Sequence, residues 1–473
     1  MKLSFKSVMP FAVLVVLALA AMFIKPEADF VPGATETQYS AADIAWVLVS
    51  TALVFLMTPG LAFFYGGMVH RKNVISTMIK SVVAAGVVGV LWIVVGFSLS
   101  FGESINLFGE KFGGIIGDPT TFLFFKGVKS GAAWPAATTI PLGLFALFQM
   151  MFAIITPGLV VGAVAERIRF TSYILFIVLF SLLVYAPVAH WSWHPNGFLA
   201  KMGVWDFAGG TVVHITAGCA ALAGALVLKR RKSHLISKET PAANVPYVLI
   251  GTGLLWFGWF GFNAGSAVGA TGLAVNAFGT TNTAAAAAGL AWMFFDVVKG
   301  KKPSVLGFCI GAVVGLVAIT PAAGFVGIPQ SIIIGVVGAL ISNIAVGIKQ
   351  KSKLDDTLDV FPCHGLGGIV GMLLTGVFAN QLAHGIKGGP EGWFYGNASF
   401  FFTQFKAMAI VVIYSFTVSF LIFKFINFVL PLRVTEEEEE LGLDESQHNE
   451  KYVQGTLLVN GGNGKLVEKP VEF

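Results

Sequence analysis

Eleven separate stretches of this chain are apolar for long enough to cross a lipid bilayer, which takes about 20 residues of helix. They fall at about 43–67, 74–101, 136–163, 170–190, 207–228, 245–267, 277–298, 304–319, 330–349, 360–380 and 400–430. In hydrocarbon every backbone N–H and C=O must find its partner within the protein, so apolar runs of this length read as helices. The 473 residues are 56% apolar and only 12% charged, outside the range of soluble globular chains. The expected fold is therefore an all-α polytopic membrane protein with eleven transmembrane helices.

The basic residues between the spans alternate. Arg71-Lys72, Arg167 and Arg169, Lys229 to Lys232, Lys299 with Lys301-Lys302, and Lys349, Lys351 and Lys353 occupy the first, third, fifth, seventh and ninth loops. The other loops are sparse, with Lys111, Lys126 and Lys129 in the long second, Lys201 in the fourth and Lys387 in the tenth. The positive-inside rule puts the odd loops and the C-terminus in the cytoplasm and the mature N-terminus outside. The chain begins with Lys2 and Lys6 ahead of an apolar run and a small-x-small site, Ala18-Leu19-Ala20. Residues 1–20 thus read as a signal peptide, with an uncleaved twelfth span as the rival. Residues 431–473 form a polar tail, and its run Glu436–Glu440 reads as a solvated acidic stretch.

Two spans carry the same polar signature. Asp206-Phe-Ala-Gly-Gly-Thr-Val-Val-His214 opens the fifth span, and Asp356-Thr-Leu-Asp-Val-Phe-Pro-Cys-His364 opens the tenth, 150 positions later. Eight residues of helix rise about 12 Å, close to the roughly 15 Å half-thickness of the hydrocarbon core. Because five is odd, spans 1–5 and 6–10 run in opposite senses, so the two histidines reach the midplane from opposite faces. That is a 5+5 inverted repeat with a final extra helix and a pore at the repeat interface. Pro157 in the third span and Pro321 in the eighth support the pairing, while Gly307/Gly311/Gly315 and Gly367/Gly371 imply close helix contacts.

Other function classes find no support. No basic patch carries the interleaved aromatics of a nucleic-acid site, and no phosphate-binding glycine loop or His-Glu-x-x-His appears. Cys219, Cys309 and Cys363 all lie in apolar segments and form no Cys-x-x-Cys pair, so neither metal nor cofactor is expected. Aromatic residues cluster around Phe148 to Phe152, His190 to Trp193 and Trp256 to Phe262. With 43 phenylalanines in the chain, any single one is by default a lipid-facing or core residue, and Trp191 and Trp193 fit an interfacial belt.

Taken together, Phe63-Phe-Tyr-Gly-Gly67, Gly162-Ala-Val-Ala-Glu-Arg-Ile-Arg169, Asp206 to His214, Trp259-Phe-Gly-Phe-Asn-Ala-Gly-Ser266 and Asp356 to His364 resemble the ammonium transporter (Amt/Mep/Rh) family. The resemblance spans residues 43–453, and Trp193 favours its microbial and plant branch. It implies an outer ammonium-recruiting vestibule of Trp193, Phe148 and Ser266 above a stacked gate of Phe152 and Phe262. Below them it places His214 and His364 as facing imidazoles in a hydrophobic conduit, with Asp206 a structural and electrostatic anchor. It also implies a homotrimer with one pore per subunit and, in many bacterial members, a cytoplasmic PII-type signal protein as partner. An ammonium sensor signalling through the tail, or a channel for another small neutral solute such as urea, are the alternatives. Only a tail of about forty residues follows the last span, which counts against the sensor.

Overall fold

The computed structural model describes residues 5–24, 39–105, 113–128, 132–236, 241–452, 456–460 and 466–470. Lys111 and Lys129 of the second loop, residues 1–4 of the leader and most of the chain beyond residue 452 lie outside these. Helix α1 (Phe5–Ala21) holds the apolar leader, with Phe11 and Val16 exposed. The eleven expected spans follow as α2 (Ala41–Met68), α3 (Arg71–Phe101), α4 (Leu142–Val164), α5 (Phe170–Lys201), α6 (Gly210–Leu228) and α7 (Val245–Ala267). Then come α8 (Gly272–Val298), α9 (Val305–Ile319), α10 (Ile328–Lys351), α11 (Phe361–Phe378) and α12 (Ala398–Val429).

Nine of these, all but α8 and α9, are long and apolar enough among the described residues to cross a membrane by length and composition. Helix α8 is long, but its middle, Thr280-Thr-Asn-Thr-Ala284, is polar and small. Helix α9 has only 15 residues, a rise of about 22 Å against the roughly 30 Å of hydrocarbon. Its crossing is completed by irregular chain, in which Thr320, Ala322, Ala323 and Val326 are fully buried. Non-helical backbone is tolerated at that depth only inside protein. The third and eighth spans are therefore not equal copies, since Pro157 sits within an unbroken α4 whereas Pro321 follows the end of α9.

Capping residues mark the starts of several spans. Ser40, Asn244, Thr271, Ser304 and Asn397 each accept a hydrogen bond from a backbone N–H of the first helical turn. The glycine spacings also pack as expected. A Cβ at Gly311 or Gly315 would strike the backbone carbonyl of Ala288 or Ala284 on α8, and one at Gly371 that of Ala318.

The odd loops share one face with the tail. Glu166 and Asp355 meet around Arg231, with Arg231 Nη1 2.6 Å from Glu166 and Nη2 2.9 Å from Asp355. All three are buried, and the buried Arg167 donates to the Asp355 carbonyl at 2.5 Å. Burial pushes the Asp355 carboxyl up, but Arg167 and Arg231 outweigh it and hold the group well below the usual range. Burial, with the Arg231 and Arg433 cations adding to it, brings the Arg167 guanidinium down to about 10 against the pull of Asp355.

The tail is less solvated than its composition suggests. Glu436 and Glu437 are exposed, but Glu438 pairs with Arg169 at 2.7 Å and Glu439 with Arg433 at 2.6 Å. Helices α13 (Glu436–Leu441) and α14 (Leu443–His448) carry this contact, and Asp444 on α14 is buried and accepts from the backbone of Ile75 and Ser76 at the start of α3. Basic loops supply the reason, because their cations stand under the acidic run. Beyond residue 452 a small antiparallel hairpin, β1 (Thr456–Asn460) with β2 (Leu466–Pro470), adds the only strands among the described residues.

Candidate functional site

The two histidine helices begin alike. The buried Asp206 carboxylate accepts from the backbone N–H of Gly209 at 2.9 Å, Gly210 at 2.6 Å and Thr211 at 2.7 Å, and from the Thr211 hydroxyl. Asp356 accepts from Val360 at 3.0 Å and Phe361 at 2.7 Å. Each carboxylate thus satisfies the unpaired donors at a helix N-terminus and faces the positive end of its dipole. Three residues past each aspartate the chain turns left-handed, at Gly209 (φ +111°) and Asp359 (φ +58°). Both helices then open with a wide π-helical turn, Gly210–Ile215 and Phe361–Leu366, and each histidine lies in that turn. Such turns recur at functional sites because they re-aim a side chain without breaking the helix.

The helices cross at their small residues with near two-fold reciprocity. A Cβ on Gly218 would overlap Gly365, and a Cβ on Gly368 would come within 3.0 Å of Ile215 and 3.1 Å of the His214 Cβ. Residues 215 and 365, and 218 and 368, are 150-position equivalents, so each helix presents to the other what it receives. This approach brings the imidazoles together, His214 Nδ1 lying 3.4 Å from His364 Nδ1. Both are buried, and His214 Nε2 has no hydrogen-bond partner among the described residues. One ring must donate and the other accept across the Nδ1 pair, so the two share a single proton at that contact.

A narrow cavity passes this pair, walled by Met57, Leu61, Phe64, Ile155, Leu159, Leu255 and Val313 together with Trp259 and Phe262. The centre of a water-sized molecule can occupy about 10 Å³ of it, about what a single such molecule needs. At one end Phe152 and Phe262 close on each other, ring centroids 4.3 Å apart and tilted by 35°. Phe148 meets Phe152 edge-on at 5.0 Å, and Trp193 meets it edge-on at 5.9 Å. Ser266 is half-buried one turn beyond Phe262, and its hydroxyl donates to the Phe262 carbonyl at 2.8 Å. That leaves the Ser266 oxygen lone pairs as acceptors. Trp193 Nε1 donates to the Asp206 carbonyl at 3.0 Å, so one residue fixes the indole through its backbone and the start of α6 through its side chain.

Of the candidate site residues, Phe148 and Trp193 lie against the Phe152–Phe262 pair, Ser266 follows one turn beyond Phe262, His214 and His364 meet in the cavity, and Asp206 starts the His214 helix. Trp191 is not a belt residue. It is buried, and its indole donates to the Ile115 carbonyl at 2.6 Å. Trp259, in the sequence only the first residue of a motif, is stacked on His214 at 5.4 Å and 18°. Its position three residues before Phe262 puts it on the same helix face, which was the available signal. Lys80 is the one charged residue in residues 74–101. It is buried in α3 and donates to the Ser76 hydroxyl at 2.5 Å. Among the described residues no group of three or more His, Cys, Asp or Glu is placed to hold a metal ion.

Comparison with known proteins gives one answer. A family model described as the Ammonium Transporter Family matches residues 45–453. The chain is 44% identical over 418 residues to an ammonium transporter of Bacillus subtilis, covering 88% of this chain and 99% of that one. It is 47% identical over 414 residues to a putative ammonium transporter of Methanothermobacter thermautotrophicus, with 87% and 98% covered. Among solved structures it is similar to Saccharomyces cerevisiae Mep2, with a TM-score of 0.77 at 36% identity over 85% of this chain and 91% of that one. A sensor Amt protein superimposes with a TM-score of 0.77 at 30% identity, with 86% and 98% covered.

Proposed function

The chain belongs to the ammonium transporter family, and from that premise we propose how its residues carry ammonium across the membrane. NH4+ is recruited between the Trp193 and Phe148 rings, where a cation gains about 0.5–2 kcal/mol from aromatic faces. Ser266 adds an acceptor, since its own proton is already given to the Phe262 carbonyl. No carboxylate is needed, so the ion is not trapped. Moving a full charge into the apolar cavity is costly. Transfer of one proton from NH4+ to water on the outer side of the Phe152–Phe262 gate, giving H3O+ and NH3, removes most of that cost, and ammonia then passes the histidines.

The observation that carries this reading is the 3.4 Å contact between His214 and His364 inside an otherwise apolar cavity. The pair shares one proton and keeps His214 Nε2 without a protein partner, ready to donate to or accept from ammonia. It serves passage of NH3, with or without separate transfer of the proton. The reaction at the site is proton transfer alone, so the protein acts as a transporter and not as an enzyme.

The same reading makes the basic face cytoplasmic in a cell (inner) membrane, puts the mature N-terminus outside after loss of residues 1–20, and assembles the chain as a homotrimer. The tail on that face, 431–473, is the natural contact for a PII-type signal protein. Transport is favoured over sensing because the relatives at 44% and 47% identity are named as ammonium transporters, whereas the sensor Amt protein is 30% identical.

Substrate-evoked current in proteoliposomes, with ammonium, methylammonium and urea compared, tests the reading. His214→Leu and His364→Leu each lose one or two buried hydrogen bonds, about 1–3 kcal/mol, which a large bundle absorbs. Both variants are expected to fold and reach the membrane with reduced or charge-altered ammonium flux. The double variant is expected to be no worse than the worse single, because the two act as one unit. Normal expression with wild-type flux, selectivity and current in both singles sinks the mechanism.

A further inference from the structure

The inverted repeat gives the two histidines equivalent backbones but not equivalent surroundings. The His214 ring is stacked on Trp259 (5.4 Å, 18°) and lies near-parallel to Phe262 (6.0 Å, 29°). For His364, the only aromatic ring in contact among the described residues is that of His214. Apart from His364, nothing described hydrogen-bonds the His214 ring, so its plane is set by the rings that cover it. Phe262 belongs to the gate. Trp259 is therefore the surface against which the pair is aligned.

Trp259 is itself held by one bond. Its Nε1 donates to Thr320 Oγ1 at 2.9 Å, and the Thr320 hydroxyl donates in turn to the Leu316 carbonyl at 2.7 Å. An indole N–H and a hydroxyl buried in an apolar wall each need such a partner, and here they satisfy one another. Thr320 stands where α9 stops, and the next residue, Pro321, abuts the start of the His214 helix. A Cβ on Gly210 would lie 2.5–3.0 Å from the Pro321 ring. The break after α9 thus reaches the His214 helix twice, through Thr320 and Trp259 to the His214 ring and through Pro321 to Gly210.

We propose that Thr320 and Trp259 are positioning residues for the histidine pair: Thr320 fixes the Trp259 indole, and the indole fixes the plane of the His214 imidazole and so the direction of its free Nε2. This rests on the histidine-lined route proposed above. It assigns the interrupted span a task that the α4 side of the repeat does not share.

Thr320→Val keeps the shape and removes the acceptor, Thr320→Ser keeps the acceptor, and Trp259→Phe keeps a ring and removes the N–H. Each is assayed in proteoliposomes as ammonium-evoked current per folded trimer, with half-saturation and potassium exclusion read in the same preparation. Thr320→Val and Trp259→Phe are expected to lower maximal flux by about five- to tenfold, the scale of one lost hydrogen bond. Half-saturation is expected to stay put, because recruitment lies on the other side of the phenylalanine gate. The double variant should match the worse single, and Thr320→Ser should restore most of the flux.

A merely structural threonine would change the yield of folded protein and leave flux per trimer intact. Wild-type maximal flux per trimer in both Thr320→Val and Trp259→Phe overturns the proposal, as does failure of Thr320→Ser to recover flux. If Thr320→Val does not fold, Trp259→Phe carries the test. His214→Leu is run alongside. Should it transport normally, the histidine reading falls; should it be altered while Trp259→Phe and Thr320→Val are not, only the positioning role falls.

Discussion

Arg231→Met is expected to be among the most damaging single changes outside the pore. Arg231 holds two carboxylates, Glu166 at 2.6 Å and Asp355 at 2.9 Å, whose side chains are only 4% and 1% exposed. Removing one partner of a buried pair costs about 3–5 kcal/mol, chiefly by stranding the other charge. Here Glu166 loses its cation outright while Asp355 keeps Arg167 beside it, so the loss falls within that range. Some relief remains, because Glu166 still accepts from the His70 N–H and Asp355 from the Arg231 backbone N–H. Against total stabilities of about 5–15 kcal/mol the loss is large. The assay is the fraction of detergent-solubilised protein that stays monodisperse after heating, alongside yield in the membrane.

Two controls sharpen this prediction. Glu166→Gln, Asp355→Asn and Arg231→Met combined remove both carboxylates together with their shared cation and leave the buried Arg167 with Asp356 as its counter-charge, so part of the lost stability should return, since neutral replacements of a buried ion pair are often tolerated. Acid should help the single variant, whose stranded carboxylates can then take up protons. Wild type behaves differently. Its Asp355 is held below the ordinary range by Arg167 and Arg231, against the effect of burial. The stability it contributes is complete above an unfolded carboxyl's pKa of about 4 and is lost only as pH falls through the depressed native value. Asp355 itself should therefore contribute the same stability to wild type at pH 7.5 and at about 5.5, whereas Arg231→Met should gain relative to wild type over that interval. Equal heat resistance of Arg231→Met and wild type, or a triple variant worse than the single, would refute the reasoning.

Trp193→Leu or Ser266→Ala removes a cation-binding face or an acceptor, and each should raise half-saturation for ammonium by a factor of a few; unchanged values in both would move recruitment elsewhere. Deleting residues 436–473 should preserve ammonium selectivity while altering flux or its control by a PII-type protein, measured by uptake with and without that partner, and lost selectivity would contradict the assignment.

The two aspartate–histidine helices were legible from a local rule, whereas Phe148, Phe152, Trp193, Phe262 and Ser266 were singled out through the family resemblance. A carboxylate eight residues before a histidine, written twice, survives any detail of packing, and the aromatic segments were readable as clusters. What the sequence hid depends on contacts across the fold. Arg167 and Arg231 read as loop cations that set orientation, and nothing in their neighbours marks them as buried, because Asp355 lies 124 positions from Arg231. Thr320-Pro321 read as one more proline in a span, whereas its meaning comes from Trp259, 61 residues earlier. The acidic tail read as solvated because a run of glutamates carries no trace of the cations beneath it. Lys80 is the exception. A lone lysine in an apolar span was visible, and so was its partner Ser76, one helical turn earlier.

The reciprocal crossing at Gly218 with Gly365 and Gly368 with Ile215 also sets a schedule. His214 and His364 lie 150 residues apart in the chain, and neither meets its partner until both helices exist. At about 5–20 residues per second a ribosome needs roughly 8–30 s to travel that distance. Throughout that interval the first five spans sit in the membrane with an unmatched imidazole and an open glycine groove. The five spans that follow must thread in with opposite polarity before either is closed. Slow stretches of translation between residues 214 and 364 therefore prolong the one stage of synthesis at which half of the pore stands assembled around nothing.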